Sequence, residues 1–269
     1  MIDITKLEQR VDLALETHKI ISFMNQDNLF FQFSPTSLWK EFDKTFISWG
    51  KRGMALNTLD YLKYQEIYFE NRGYSRYSLP EQELKSEQYL FILVFIKNYI
   101  HDVFYSTVGE NKLVIDSIID NIDLIVEKCN YQFHYVNTED KYILCKRDEN
   151  VDSIIQFTKE NNLSNILLTY LDMSNYNNVF EKTHILMDLH KYIEPKRQDF
   201  SSKNSTLTNK VFSMYNKLQV RHNDNKQIDL PDDEKIKWYD ILFQMTLHLI
   251  RTPYIIDLQS DVSELISEK

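Results

Sequence analysis

Apolar residues recur every three or four positions along most of the chain, a pattern that predicts amphipathic α-helices. The predicted helices of the first half cover residues 3–25, 37–49, 59–69, 84–108 and 112–129. Those of the second half cover residues 151–160, 163–171, 178–194, 206–221 and 232–251. The middle of the 84–108 segment is apolar on nearly every side, so we expect it to be the buried central helix of the first half.

Local signals set several of the predicted helix ends. Asn178 is followed three residues later by Glu181, a spacing that resembles a capping box and predicts a helix start. Pro195 and Pro253 lack a backbone N–H, so we expect each of them to stop the helix that precedes it. A polar cluster at residues 223–225 is expected to end the helix that begins at residue 206.

The period of the apolar pattern changes between residues 131 and 146. Tyr131, Phe133 and Tyr135 alternate with polar residues, residues 137–140 supply a turn, and residues 141–146 form a second extended run. This pattern predicts one β-hairpin, which should lie against helices because two strands alone are marginally stable. We therefore predict an all-α protein, mainly a helical bundle with one small hairpin, with an N-terminal lobe (residues 1–147) and a C-terminal lobe (residues 148–269).

Composition excludes several classes of function. Only 4 Gly and 5 Pro occur, and neither GxGxxG nor GxxxxGK[ST] is present, which argues against Rossmann and Walker-type nucleotide sites. The formal net charge of −9 argues against a protein that coats duplex DNA. No set of His, Asp and Glu residues has the spacing of metal ligands, so we expect neither a metal nor a cofactor.

The cysteines and the apolar runs bear on the location of the protein. Cys129 and Cys145 are predicted to be reduced core thiols rather than a disulfide. Residues 1–10 lack the apolar core of a signal peptide. The longest apolar run, residues 89–96, is far shorter than the roughly 20 residues that span a bilayer. We therefore expect a cytoplasmic protein that does not enter a membrane.

The strongest candidate for chemistry is an Arg-His pair near the C-terminus. The apolar face of the 206–221 helix, continued at about 100° per residue, reaches Arg221 and His222. A histidine can take or give the proton of an RNA 2′-hydroxyl near neutral pH, and a guanidinium can hold the scissile phosphate with two hydrogen bonds. Asn216 and Lys217 are candidates to support that phosphate. The alternative is that Arg221 and His222 only close their helix.

The run YLDMSNYNNVFEKTHILMDLHKYIEPKRQDF and the later MYNKLQVRHNDN resemble the HEPN-type bundles of bacterial abortive-infection and toxin proteins. The resemblance implies a helical bundle with metal-independent ribonuclease activity. It also implies a dimer in which the two motifs meet across the dimer axis. By position it assigns His222 to the family histidine, and it makes the flanking Asn223 and Asn225 candidate substrate-binding residues.

One departure from the family pattern leaves two functions open. The family arginine precedes the histidine by four to six residues, where this chain has Asn216 or Lys217, whereas its own Arg221 is adjacent to His222. The first hypothesis is a defence or toxin-type endoribonuclease, with His222 as general acid/base and Arg221 as phosphate clamp. The second is a non-catalytic scaffold or immunity-type protein with a degenerate bundle. The candidate partners are a second copy of the chain, RNA or another protein.

A third hypothesis places the function in the first half of the chain. Aromatic and basic residues interleave there, as in proteins that stack on single-stranded bases and neutralise their phosphates. The residues concerned are Trp49, Lys51, Arg52, Arg72 and Arg76. Together they would form a groove for single-stranded RNA.

Overall fold

The computed structural model describes residues 11–31, 34–63, 67, 70–71, 77–79, 84–104, 110–137, 139–158, 160–218, 220 and 230–267. Contacts between residues divide the chain into two compact units, Met1–Leu144 and Cys145–Lys269. Helices dominate the described part of both units, which confirms the predicted mainly helical fold. None of the described helices combines the length and the apolar composition needed to cross a membrane.

Unit 1 is built around one buried helix. Its helices are α1 (Leu13–Met24), α2 (Leu38–Thr45), α3 (Thr58–Lys63), α4 (Ser86–Phe104) and α5 (Glu110–Lys128). The central helix α4 packs against α1 and α5. Its Tyr99 is fully buried, and the hydroxyl group donates to the Phe42 carbonyl at 2.9 Å and lies 2.7 Å from Thr45 Oγ1. These bonds tie α2 to the middle of α4.

The strands of the described chain form three separate pairs. The predicted hairpin is present as β5 (Tyr131–Val136) and β6 (Lys141–Lys146). The sequence analysis did not predict the other two antiparallel pairs, which join β1 (Leu29–Phe31) to β2 (Ser34–Thr36) and β3 (Glu70–Asn71) to β4 (Tyr77–Ser78). Strands of two or three residues are too short to establish an alternating pattern, so periodicity cannot reveal them.

Unit 2 is a helical bundle. Its helices are α6 (Glu149–Thr158), α7 (Asn161–Leu171), α8 (Val179–Ile193), α9 (Arg197–Lys217) and α10 (Asp232–Ser267). The helix α10 packs against α6, α8 and α9, and all five helices contribute apolar side chains to one core. The predicted cap of α8 is confirmed, because Asn178 Oδ1 accepts a hydrogen bond from the Glu181 backbone N–H at 3.1 Å.

The helix α9 begins nine residues earlier than predicted and contains a break. Asn204 has non-helical backbone angles (φ −153°, ψ 82°). Its Oδ1 accepts a hydrogen bond from the Leu207 backbone N–H at 3.0 Å, which is the geometry of an N-cap. The predicted start near residue 206 is therefore the start of the second segment of α9. The first segment was missed because residues 197–205 have no apolar stripe.

The prediction that Pro253 stops the last helix is wrong, because α10 continues through this residue to Ser267. A proline inside a helix loses one backbone hydrogen bond and costs about 3 kcal/mol. Packing offsets part of that cost. The Tyr254 ring stacks on Phe157 of α6, with 5.7 Å between the ring centroids, and holds the turn that follows the proline.

Candidate functional site

The structure describes two of the six predicted site residues. Asn216 and Lys217 lie on the last turn of α9, and both side chains are exposed. A lysine is favourable at a helix C-terminus, where the partial charge of the helix dipole is negative. The other four predicted residues lie outside the described residues: Arg221, His222, Asn223 and Asn225.

The end of α9 is anchored in the core of unit 2. The Leu218 backbone N–H donates to the Met214 carbonyl at 2.9 Å, and the Leu218 carbonyl accepts from the Tyr239 hydroxyl of α10 at 3.4 Å. One turn earlier, Tyr215 is fully buried and its hydroxyl lies 3.2 Å from Thr246 Oγ1. The backbone that leads to Arg221 is therefore held by contacts with α10.

A cavity lies next to this helix end. Val220 directly precedes Arg221 in the sequence, and its side chain is 1% exposed. Val220 lines a cavity of about 400 Å³. The other lining residues belong to α8 and the turn that follows it: Met187, His190, Lys191, Glu194 and Pro195. The wall of the cavity thus carries one imidazole, one ammonium group and one carboxylate.

The imidazole of His190 is held on several sides. Its Nε2 lies 2.8 Å from Glu194 Oε2, one helical turn further along the chain. The ring also makes edge-to-face contacts with Tyr215 and Phe212, at centroid distances of 4.8 and 5.5 Å. An imidazole paired with a carboxylate is a common acid–base arrangement. The sequence analysis assigned no role to His190, although the His-x-x-x-Glu spacing marks a pair on one face of a helix.

A second polar cluster lies in unit 1, where the last turns of α4 meet the loop after α2. The Asp102 carboxylate accepts from Trp49 Nε1 at 2.7 Å and from Lys51 Nζ at 2.8 Å, and its Oδ1 lies 3.3 Å from His101 Nδ1. Lys51 Nζ also donates to the backbone carbonyl of Asp140. One carboxylate therefore organises an indole, an ammonium group and an imidazole.

The turn of the β5–β6 hairpin completes this cluster. Asp140 has a positive φ of 50°, and one of its carboxylate oxygens accepts a hydrogen bond from the Tyr135 hydroxyl. That bond raises the pKa of Tyr135 to about 12 and, together with the nearby Lys51 ammonium, lowers the pKa of Asp140. The phenol is therefore neutral and the carboxylate ionised over the physiological pH range.

The amide of Asn98 in α4 holds the hairpin beside His101. Its Nδ2 donates to the Tyr142 carbonyl at 2.8 Å, and its Oδ1 accepts from the Tyr142 N–H at 2.7 Å. The rings of His101, Tyr135 and Tyr142 consequently lie in mutual contact, with centroid distances of 5.1 to 5.2 Å. The sequence analysis did not connect His101 and Asp102 with the hairpin.

These contacts do not fit the hypothesis of a single-strand RNA groove in the first half. Trp49 is 5% exposed and its N–H is bound to Asp102, so its face is not presented to a base. The Arg52 guanidinium donates to backbone carbonyls of its own loop, at Ile47 and Ala55, over 3.0 and 2.7 Å. Lys51 is paired with Asp102. The remaining residues of that hypothesis, Arg72 and Arg76, lie outside the described residues.

Comparisons with protein-family models, with curated proteins and with solved structures found no match for this chain. Within the described ranges, no group of three or more His, Cys, Asp or Glu side chains is arranged to hold a metal ion. Cys129 and Cys145 are free thiols, and burial raises the pKa of both.

Proposed function

We propose that unit 2 is a HEPN-like bundle that cleaves RNA as a cytoplasmic bacterial defence or toxin-type factor. The observation that supports this best is the position of Val220. This residue immediately precedes the Arg221–His222 pair and lines a cavity together with His190 and Lys191. The Arg221–His222 pair therefore directly follows, in the sequence, a residue of a cavity wall that carries an imidazole and a cation.

The proposed reaction is a transesterification within the RNA backbone. The 2′-oxygen forms a bond to phosphorus while the bond from phosphorus to the 5′-oxygen breaks. His222 takes the 2′-hydroxyl proton, and a protonated imidazole or water returns a proton to the leaving 5′-oxygen. Arg221 holds the phosphate with two hydrogen bonds, and the exposed Lys217 and Asn216 support it. The proton balance requires one base and one acid, so the His190 imidazole, in the cavity that Val220 lines, suits this chemistry.

A matched pair of histidine variants tests the proposal. Full-length protein is incubated with a labelled oligoribonucleotide in the presence of EDTA. His222→Ala is expected to slow cleavage by at least about 100-fold, the usual contribution of a general acid or base. The control is His184→Ala, because His184 is exposed on α8 and is not one of the residues that line the cavity. The control should cleave at the wild-type rate.

Two results would overturn the proposal. The first is a His222→Ala variant that cleaves as fast as the His184→Ala control while both retain the wild-type circular dichroism spectrum. The second is an absence of cleavage by the wild-type protein on a panel of single-stranded and structured RNAs.

The second candidate function is a non-catalytic interaction protein that acts as a homodimer. The observation that favours it is an exposed apolar stripe on the last turns of α10. Ile255, Leu258, Val262 and Ile266 recur every three or four residues, so they share one side of the helix, and they are 44–69% exposed. Ile256 beside them is 37% exposed. This candidate predicts a dimer in light scattering that becomes a monomer when Leu258 and Val262 are both replaced by aspartate. A monomeric wild-type protein would exclude it.

A further inference from the structure

A cavity in unit 1 lies over the cluster around Asp102 and has a volume of about 920 Å³. It opens between the end of α4, the loop after α2 and the β5–β6 hairpin. Polar and aromatic side chains from all three segments line it: Trp49, Lys51, His101, Asp102, Tyr135, Asp140 and Tyr142. The proposed ribonuclease site in unit 2 uses none of these residues.

The charged groups of this cavity leave an excess of negative charge. Two carboxylates, Asp102 and Asp140, and one ammonium group, Lys51, line the wall. Asp102 is largely buried and already holds Lys51 at 2.8 Å. The Asp140 side chain is 73% exposed, and its Oδ2 lies 4.0 Å from Lys51 Nζ. Lys51 lies near both carboxylates, so the wall carries one net negative charge, and the exposed Asp140 carboxylate at the mouth of the cavity is the less fully compensated of the two.

Aromatic rings form the wall beside that carboxylate. Tyr135 is 39% exposed, and its hydroxyl is held by Asp140, which restrains the ring. Tyr142 already contacts a cation of the chain itself, because Lys97 Nζ lies 4.8 Å from the centroid of its ring. This region therefore already contains one contact between a cation and the face of an aromatic ring.

We propose that this cavity binds a small organic cation, with its positive group against the Tyr135 ring and beside the Asp140 carboxylate. Ring and carboxylate both attract positive charge, and an open cavity of this size accepts a substituted ammonium group without rearrangement. Phosphate-bearing ligands fit poorly, because the one ammonium group of the wall is already paired with Asp102. The proposal is independent of RNA cleavage in unit 2.

Choline and its neutral carbon isostere, 3,3-dimethylbutan-1-ol, have the same shape and differ in the positive charge of choline. The difference between their affinities therefore measures what that charge contributes to binding. Isothermal titration calorimetry with the full-length protein should show saturable binding of choline and binding of the alcohol weaker by about tenfold or more, as a cation–π contact with an adjacent carboxylate implies. Adenosine monophosphate serves as the anionic probe and should bind more weakly than choline. Equal affinity for choline and the alcohol would overturn the proposal, and so would a preference for the nucleotide.

Two variants of the hairpin turn test whether choline contacts Asp140 directly or is attracted only by the net negative charge of the protein. Asp140→Asn removes the charge and keeps the backbone, since asparagine tolerates a positive φ. Glu139→Gln removes the same charge one residue earlier, from an exposed side chain that pairs with Lys141 and does not line the cavity. We expect Asp140→Asn to weaken choline binding by about tenfold and Glu139→Gln by less than about twofold. Equal losses in the two variants would refute the site.

A third variant tests the ring. Tyr135→Leu should weaken choline binding by about tenfold, whereas Tyr135→Phe, which keeps the ring and releases the Asp140 carboxylate, should retain it. Binding that survives Tyr135→Leu unchanged would overturn the assignment. Circular dichroism and the chemical shifts of the hairpin amides confirm that each variant is folded.

Discussion

The buried lysine of unit 2 gives the sharpest test of how the bundle is stabilised. Lys182 of α8 is 2% exposed, and its Nζ donates to Asp240 Oδ1 of α10 at 2.5 Å. The same oxygen accepts from the Tyr170 hydroxyl of α7 at 2.9 Å, and the ammonium group lies 4.6 Å from the centroid of the Tyr170 ring. One carboxylate therefore joins three helices, and Asp240→Ala should destabilise all of them together.

The size of the effect follows from the burial of each partner. Removing one member of a buried ion pair costs about 3–5 kcal/mol, because the other charge is left without a partner. The Asp240 side chain is 45% exposed, so water can approach the vacated position and relieve part of this cost. Loss of the Tyr170 hydrogen bond adds about 1 kcal/mol. We therefore expect Asp240→Ala to lower the stability of unit 2 by about 3 kcal/mol.

Hydrogen–deuterium exchange measures this loss within unit 2 alone. The slowest amides of α8, residues 179–193, should exchange roughly 100-fold faster, since each 1.4 kcal/mol is a factor of about ten. The control is Asp257→Ala, an exposed aspartate of the same helix α10, which should change exchange by less than about threefold. Adding Lys182→Met to Asp240→Ala removes the buried ammonium group that has lost its carboxylate partner. The double variant should therefore recover most of the protection of the α8 amides against exchange. Equal exchange in the Asp240 and Asp257 variants would refute the reasoning.

The remaining predictions concern ionisation. Asp140→Asn should return the pKa of Tyr135 from about 12 toward its ordinary value of 10, measured by NMR of ring-labelled tyrosine, and an unchanged value would contradict the bond. Because folding raises the pKa of Tyr135 and lowers that of Asp140, their contact stabilises the hairpin above pH 3.8 and below pH 10. The contribution should be lost as the pH falls through the depressed pKa of Asp140 or rises through that of Tyr135. Iodoacetamide at pH 8 should label the half-buried Cys129 faster than the fully buried Cys145, and equal labelling would contradict the burial of Cys145.

Much of the secondary structure could be predicted because burial imposes a period on the sequence. The helix α4 and the hairpin β5–β6 were found in this way, since each buries one defined set of side chains. The continuation of α10 through Pro253 could not be predicted, because the residues around the proline carry no local signal for it. The stacking of Tyr254 on Phe157 that accompanies it joins residues about a hundred positions apart. Local propensity is informative only where tertiary contacts do not override it.

The candidate site in unit 1 was missed for a related reason. Its members come from three segments: Trp49 and Lys51 from one loop, His101 and Asp102 from α4, and Tyr135 with Asp140 from the hairpin. The adjacent His101 and Asp102 were visible in the sequence, but the strands that lie next to them are revealed by long-range contacts such as the bonds of the Asn98 amide to the backbone of Tyr142. Side chains that meet through such long-range contacts carry no spacing signature.

The central claim is that unit 2 cleaves RNA through attack of the RNA's own 2′-hydroxyl on the neighbouring phosphate, and that His222 takes the proton of this hydroxyl. The most direct measurement is the analysis of product ends after incubation of an oligoribonucleotide, and of its 2′-O-methyl counterpart, with the wild-type and His222→Ala proteins in EDTA. We predict 2′,3′-cyclic phosphate ends from the unmodified RNA with the wild-type protein alone, and no cleavage of the 2′-O-methyl strand. Cleavage of the 2′-O-methyl strand, undiminished cleavage by His222→Ala, or intact RNA throughout would contradict the claim.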